Sequence, residues 1–201
     1  MNAEPVTLEG ATIRLVPMTM EHLGALTEAG AHEELWRWTA TRADSPAEME
    51  EYVTSAIRDR EAGIARPFVT IDKESGRVIG STRFGNIDRW NRKVEIGWTW
   101  IVPGFQRTRV NTEAKYLMLR HAFETWNCVR VELKTDALNE KSRNAILRTG
   151  AKFEGILRQH MVTSTGRLRD TAYYSIIDSE WPEVRERLLE YLASTPNPTS
   201  T

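Results

Sequence analysis

The chain has 201 residues, of which 40% are hydrophobic and 27% charged, the ordinary balance of one globular domain. A net charge of −1 excludes nucleic-acid binding driven by overall charge, and the single cysteine, Cys128, excludes an internal disulfide and a thiolate metal site. No apolar stretch approaches the ~20 residues that span a bilayer. Met1 to Pro5 carries neither a basic region nor an apolar segment, so a cytoplasmic domain without membrane or nucleic-acid partners is expected. The surplus is aromatic: there are seven tryptophans against five phenylalanines, and Trp90, Trp98 and Trp100 lie close together.

There is no internal repeat. Thr12 to Val16 is a short β-prone run, and Thr19 can cap a helix through about Ala29. Ser45-Pro46 opens a second helix, with Glu48, Glu50 and Glu51 near its positive end, apolar residues at 49, 52, 53, 56 and 57, and Gly63 as its stop. Strands follow at 67–71 and 78–84 around the turn 72–77, and at 94–101. In the last of these, Val94, Ile96, Trp98 and Trp100 alternate as a core face, with Glu95, Gly97 and Thr99 opposite. A helix starts at Asn111 or Thr112 with the stripe Ala114, Leu117, Met118, His121, Ala122 and Trp126. A strand then spans Val129 to Thr135, and Asn139 caps a short helix that ends at Gly150. Strands at 153–163 and 170–177 flank Ser164-Thr165-Gly166, and a final amphipathic helix uses Trp181, Val184, Leu188 and Leu192. Residues 1–193 read as one domain, and 194–201 as a disordered tail with nothing to bury. The element order predicts an α/β fold of mixed type, a twisted sheet of about seven strands flanked by helices; a Rossmann or barrel fold is disfavoured because regular βα alternation is missing.

The most informative segment is Ile101 to Lys115, where a strand ends, a basic loop turns and a long helix begins. Free N–H groups and the helix dipole suit a pyrophosphate there, with Arg107 and Arg109 adding charge. The plainer reading is that Thr112 caps the helix with support from Glu113. The Gly-x-x-x-x-Gly-Lys-Ser/Thr pattern of an NTP-binding loop is missing.

Strand, then Gln106-Arg107-Thr108-Arg109-Val110-Asn111 opening a helix, resembles the acyl-CoA pyrophosphate motif of the GNAT acetyltransferases. Asn111 to Lys115 with His121 to Glu124, Asn139 to Ile146, and Gly150 to Arg158 are similar to elements of the RimJ/RimL branch, the ribosomal-protein N-terminal acetyltransferase type. The resemblance covers roughly residues 10 to 180. It implies a mostly antiparallel sheet splayed in the middle, acetyl-CoA as cosubstrate, no metal, and transfer of the acetyl group to a primary amine of a peptide or small molecule. A homodimer would also be in keeping with relatives. Two positions depart from the motif: Arg109 and Asn111 stand where the family has Gly and Gly/Ala. Either Arg109 points outward or pairs with a phosphate, or cofactor affinity is degraded. A non-catalytic acyl-CoA-binding module is the alternative this leaves open.

The resemblance implies that Gln106, Arg107, Thr108, Arg109, Val110, Asn111 and Thr112 hold the pyrophosphate. It implies further that the strand Trp98, Thr99, Trp100 and Ile101, splayed from Val129 to Thr135, holds the pantetheine and thioester carbonyl. Asn139 would contact the pantetheine as well as cap its helix, and Ser142 would hydrogen-bond the sulfur or stand as a plain polar residue. Glu95 reads as the general base or as a surface ion-pair partner. Lys141, Arg143 and Arg148 read as a solvated helix face or as contacts to the 3′-phosphate end of CoA. Tyr173 and Tyr174 point to opposite faces, so at most one reaches the site. His22, His32, His121 and His160 show no metal spacing, and His121 and Cys128 read as packed residues. Trp98, Trp100, Trp126 and Trp181 are expected in the core; Trp36, Trp38 and Trp90 are expected to border the acceptor pocket.

Overall fold

A computed structural model describes residues 4–195. Eight strands form one sheet in the order β1-β2-β3-β4-β5-β6-β8-β7: β1 Leu8–Glu9, β2 Ile13–Pro17, β3 Arg66–Asp72, β4 Val78–Asp88, β5 Lys93–Ile101, β6 Arg130–Asp136, β7 Lys152–Val162 and β8 Leu168–Ile177. Every neighbouring pair is antiparallel except β5 and β6. The strand beyond the expected seven is β1, two residues long and too short to leave a periodic signal.

Five helices cover this sheet: α1 Leu23–Gly30, α2 Pro46–Glu61, α3 Val110–Arg120, α4 Glu140–Arg148 and α5 Trp181–Ser194. Local chemistry explains their ends. Ser45 Oγ accepts the Glu48 N–H at 3.3 Å while the Glu48 carboxylate accepts the Ser45 N–H at 3.2 Å, a reciprocal cap with Pro46 behind it. Asn139 Oδ1 accepts the Ser142 N–H at 3.0 Å, and Gly150 takes φ +95° after α4. The helix after β5 starts at Val110, earlier than expected, so Thr112 lies in its first turn and does not cap it. Helix α5 includes Ser194, the first residue of the tail expected at 194–201; the part of that tail from residue 196 onward lies outside the described residues.

Two apolar clusters sandwich the sheet. On one face Leu15, Phe68, Phe84, Ile96 and Tyr174 pack with Leu117, Trp126 and Leu188 of the α3 and α5 region. On the other, Met18, Val69 and Trp100 pack with Leu26, Met49 and Tyr52 of α1 and α2. Trp36 belongs to this second core, its Nε1 donating to the Gly30 carbonyl at 2.8 Å, rather than to a pocket rim. Trp100, Trp126 and Trp181 are buried as expected, whereas Trp90 is 93% exposed. His121 packs between Phe84 and Trp126, and burial lowers its pKa, with Arg120 adding to the effect.

The N-terminal turn is latched to α3 by one carboxylate. Buried Glu113 accepts the backbone N–H groups of Ala11 and Thr12 and the Thr12 hydroxyl, and Gly10 leaves room where a Cβ would collide with that carboxylate. Removing it leaves two backbone donors without their acceptor, one of them on buried Thr12. Glu113→Ala should therefore lower the unfolding free energy by about 2–4 kcal/mol in urea titration. A loss below about 1 kcal/mol would show that water replaces the carboxylate there.

Candidate active site

Residue 98 breaks the alternation of β5. Trp98 takes φ +50°, a left-handed conformation that bulky residues rarely adopt, and the β4–β5 pairing jumps from Arg83↔Gly97 to Ser81↔Trp100. The extra residue flips the faces. Val94, Ile96 and Ile101 face α3, and so does Thr99, whose Oγ1 accepts from Lys115 Nζ at 2.8 Å. Glu95 and Trp100 face the other way. Two expectations fail for this reason: Trp98 is not core but 38% exposed, and Thr99 does not share a face with Glu95. Strict alternation carries no sign of a bulge, and Gly97 beside a β-branched residue is the one local hint.

The Trp98 indole lies against Gly85, where any Cβ would collide with the ring. Its carbonyl accepts from the Tyr52 hydroxyl at 3.4 Å, while the Gly97 carbonyl accepts from Thr99 Oγ1 at 3.3 Å and Thr82 Oγ1 at 3.4 Å. Tyr52 belongs to the α2 side and Thr82 and Thr99 to the α3 side, so successive carbonyls leave the sheet plane in opposite directions. A backbone held this way costs of order 1–3 kcal/mol, which these contacts must offset.

Immediately before the bulge the sheet opens. β5 pairs with β6 only through Lys93↔Arg130, Val94↔Val131 and Glu95↔Glu132; beyond Glu95 the two parallel strands diverge. The expected splay is present, and it leaves the backbone of 96–101 without a neighbour on that side. Gln106 spans the far end, its Nε2 donating to the Ile101 carbonyl at 2.7 Å and its Oε1 accepting from Lys141 at the start of α4. The loop then enters α3, whose first N–H groups at Val110, Asn111 and Thr112 have no intrahelical acceptor. Arg109 is helical there, with φ −67°, so glycine is not required; the left-handed residue is Arg107, at φ +63°. The Arg109 side chain neither points to solvent nor waits at the loop: its Nε lies 4.0 Å from Glu113 and its Nη1 donates to the Thr195 carbonyl at 3.5 Å.

Across the gap, the half-sheet of β6, β8 and β7 turns Val131, Leu133, Tyr174 and Ile176 toward the α3 side. Its other face is polar. Glu95, 2% exposed, accepts from Lys134 Nζ at 2.8 Å and from Asn86 Nδ2 at 2.7 Å. Burial works against the Lys134 ammonium, but Glu95 and Tyr173 outweigh it and raise its pKa. Tyr173 and His160 pack edge to face beside this pair, and Asp136 pairs with Arg167 and, at 4.0 Å, with Arg169. Tyr174 points the other way and accepts from Arg143 Nε at 3.0 Å, so Arg143, with a second bond to the Ala137 carbonyl, is held half-buried at the base of α4. Ser142 sits half-buried in the first turn of α4.

One side of this polar cleft is bridged. The Ser164 N–H of the β7–β8 turn donates to the Ala40 carbonyl at 2.9 Å, and the Arg167 guanidinium lies over the Trp38 ring. Of the three unassigned tryptophans, Trp38 thus contacts this polar face, through the Arg167 that pairs with Asp136. Asn86 and Lys134 contact Glu95 on this face, Arg83 lies against Trp98, and Lys115 meets Thr99 on the opposite face; none of the four was singled out from sequence. The traceable signal was Lys115, a charged residue in register with the buried positions Met118 and Leu119 of α3.

Among the described residues there is no cluster of His, Cys, Asp and Glu suited to a metal ion, and no helix is long and apolar enough to cross a membrane.

Residues 12–152 match the acetyltransferase (GNAT) domain. YdaF of Bacillus subtilis (strain 168) is 31% identical over 176 residues, covering 86% of this chain and 94% of its own. A GCN5-related N-acetyltransferase from Brucella melitensis superposes with a TM-score of 0.87 at 34% identity, over 95% of this chain and 87% of that one. The ribosomal-protein-serine acetyltransferase of Escherichia coli (strain K12) is 24% identical over 68% of this chain and 74% of its own. The chain belongs to the GNAT acetyltransferase family and is an acyltransferase. Nothing in these relationships favours a non-catalytic module.

Beneath the bulge, burial pushes the Lys115 ammonium down to about 7, against the pull of Glu95. Between that value and the ordinary 10.5 the unfolded chain holds a proton the folded chain lacks, so stability rises with pH across this window. From pH 7 to 9.5 the wild type should gain up to about 3 kcal/mol relative to Lys115→Met in urea unfolding. A difference between the two that does not change with pH would contradict this assignment.

Proposed function

We propose that this chain uses acetyl-CoA to acetylate a primary amine at the end of a peptide or protein, within the cytoplasm. The observation that carries the reading is the parting of β5 from β6 directly after Glu95, with the bulge beside it and the α3 N-terminus at the far end of the same strand. A thioester ligand needs such an arrangement: unpaired backbone for its amide arm and oriented N–H groups for its phosphates. Gln106 to Thr112 would hold the pyrophosphate, Trp98 to Ile101 the pantetheine and carbonyl, and Asn139 the pantetheine from the α4 side. Arg107 supplies charge to the loop, whereas Arg109 supports it through Glu113, and Arg143 serves by fixing the base of α4.

The acceptor would enter over the polar face, between the Trp38 loop and the β7–β8 turn. Its amine must lose a proton as the C–N bond forms and the C–S bond breaks. Glu95 accepts that proton, directly or through water, with Lys134 and Asn86 orienting its carboxylate. Ser142 hydrogen-bonds the departing sulfur and assists its protonation. A peptide acceptor is favoured by relatives whose names state ribosomal proteins as substrates, the Escherichia coli enzyme above and a RimL acetyltransferase of ribosomal L7/L12. A RimJ of Mycobacterium smegmatis, similar in fold, was solved with a CoA disulfide.

The test is free-thiol release from acetyl-CoA in the presence of a pool of N-terminal peptides and small amines, with mass spectrometry of the products. Turnover on unblocked peptides, and none on their N-acetylated forms, is expected. Glu95→Gln should lower kcat about 10²-fold or more while changing the KM for acetyl-CoA far less. An unchanged rate at every pH would remove Glu95 as the base.

A further inference from the structure

Arg83 is a charged residue in an unusual setting. It stands on β4 opposite Gly97, is 3% exposed, and faces the α2 side of the sheet. Its guanidinium carbon lies 4.9 Å from the Tyr52 ring centre and 5.0 Å from that of Trp98, so the cation is stacked between the two aromatics. Hydrogen bonding does not account for its placement: Nε is buried without a partner, and the nearest carboxylate, Asp59, is 3.7 Å from Nη1 and itself 40% exposed. Beside the half-exposed Asp59 carboxylate, Arg83 is held by the two rings, and one ring belongs to the residue whose backbone is left-handed.

We propose that Arg83 is a positioning residue for acetyl transfer: stacked between Tyr52 and Trp98, it holds residue 98 in the left-handed conformation that shapes the bulge at the sheet opening. Three contacts act together on the same residue. Arg83 lies over the indole, Gly85 gives the indole a flat seat, and the Tyr52 hydroxyl donates to the Trp98 carbonyl. A tryptophan freed from these contacts relaxes toward extended backbone, and the Gly97–Trp98 and Trp98–Thr99 peptide groups rotate with it. The bulge then spends less time in the shape that receives a thioester carbonyl, and turnover falls in proportion. This rests on the reading that the thioester lies at the bulge.

The experiment compares Arg83→Met, Trp98→Gly and the double variant by kcat, by dissociation constants for acetyl-CoA and CoA, and by melting temperature. Glycine adopts φ +50° without strain and so dispenses with the clamp. Arg83→Met alone is expected to lower kcat about tenfold or more, with CoA affinity held within about twofold. In the Trp98→Gly background the same substitution should cost less than about twofold, a non-additivity that a general packing defect does not produce. Should Arg83→Met fail to fold, Arg83→Lys keeps the charge but not the planar stack and is expected to show the same loss. Full activity of Arg83→Lys or Arg83→Met, with Trp98→Gly impaired, overturns the clamp alone. Equal losses from Arg83→Met in both backgrounds also overturn it. Full activity of both single variants instead removes the bulge as the thioester site.

Discussion

The arrangement of the site depends on one place in the sheet, where β5 leaves β6 after Glu95 and turns through a left-handed Trp98. A parallel pair is held only by its slanted backbone ladder, so once the ladder stops nothing forces the strands to stay together. Here it stops after three residue pairs. Downstream, the freed strand feeds the loop that begins α3, and Gln106 keeps the two sides of the opening in register by bonding the end of β5 and the start of α4. The flanking helices then appear as supports for an opening rather than as mere cover: α2 holds its upper face through Tyr52, and α3 its lower face through Lys115.

Support for the opening extends to the chain terminus. Glu113 ties the N-terminal turn to the first turn of α3, and Arg109 lies against both this carboxylate and the end of α5. The helix that presents its N–H groups to the loop is thus fixed at that end by its own Arg109 and Glu113 side chains, which bond the residue after α5 and the N-terminal turn. One of the two departures from the family motif, Arg109, becomes intelligible in this light. Arg109 occupies a helical backbone that any residue adopts, so its side chain was free to become a brace. The conformational demand of the loop falls two residues earlier, on Arg107, a position the motif comparison did not flag.

Most of the fold was legible because its signals are local and periodic. The Ser45 cap, the Asn139 cap, the stop at Gly150 and the amphipathic helices α2, α3 and α5 each follow from spacing and cap chemistry within a few residues. The loop before α3 and its linked motifs carried the family resemblance. What alternation could not reveal was the change of face at Trp98, since a bulge inserts one residue without a compositional mark. That single shift moved Trp98 out of the core and set Thr99 against α3. The polar residues around Glu95 were hidden for a different reason. Asn86 and Lys134 come from neighbouring strands, and pairing across a sheet depends on register, which one sequence does not encode locally.

Two buried cations flank the bulge, Arg83 above and Lys115 below. An unbranched apolar side chain would fill the space of Lys115 without the desolvation that its lowered pKa records. A hydrophobic residue at 83 would likewise avoid a buried donor with no acceptor. Each cation does, however, make a contact that an apolar residue cannot. The Lys115 ammonium directs a hydrogen bond to Thr99, whose hydroxyl also lies within bonding distance of the Gly97 carbonyl and of Thr82. The guanidinium of Arg83 stacks on the indole of the residue between them in sequence. Both interactions converge on residues 97 to 99, where β5 has lost its neighbour and where the backbone could otherwise choose among several shapes. Directional contacts fix one of them. The cost of the two charges is the cost of a defined backbone at an edge unpaired on the β6 side, set where the proposed thioester site would require donors held in place before the substrate arrives.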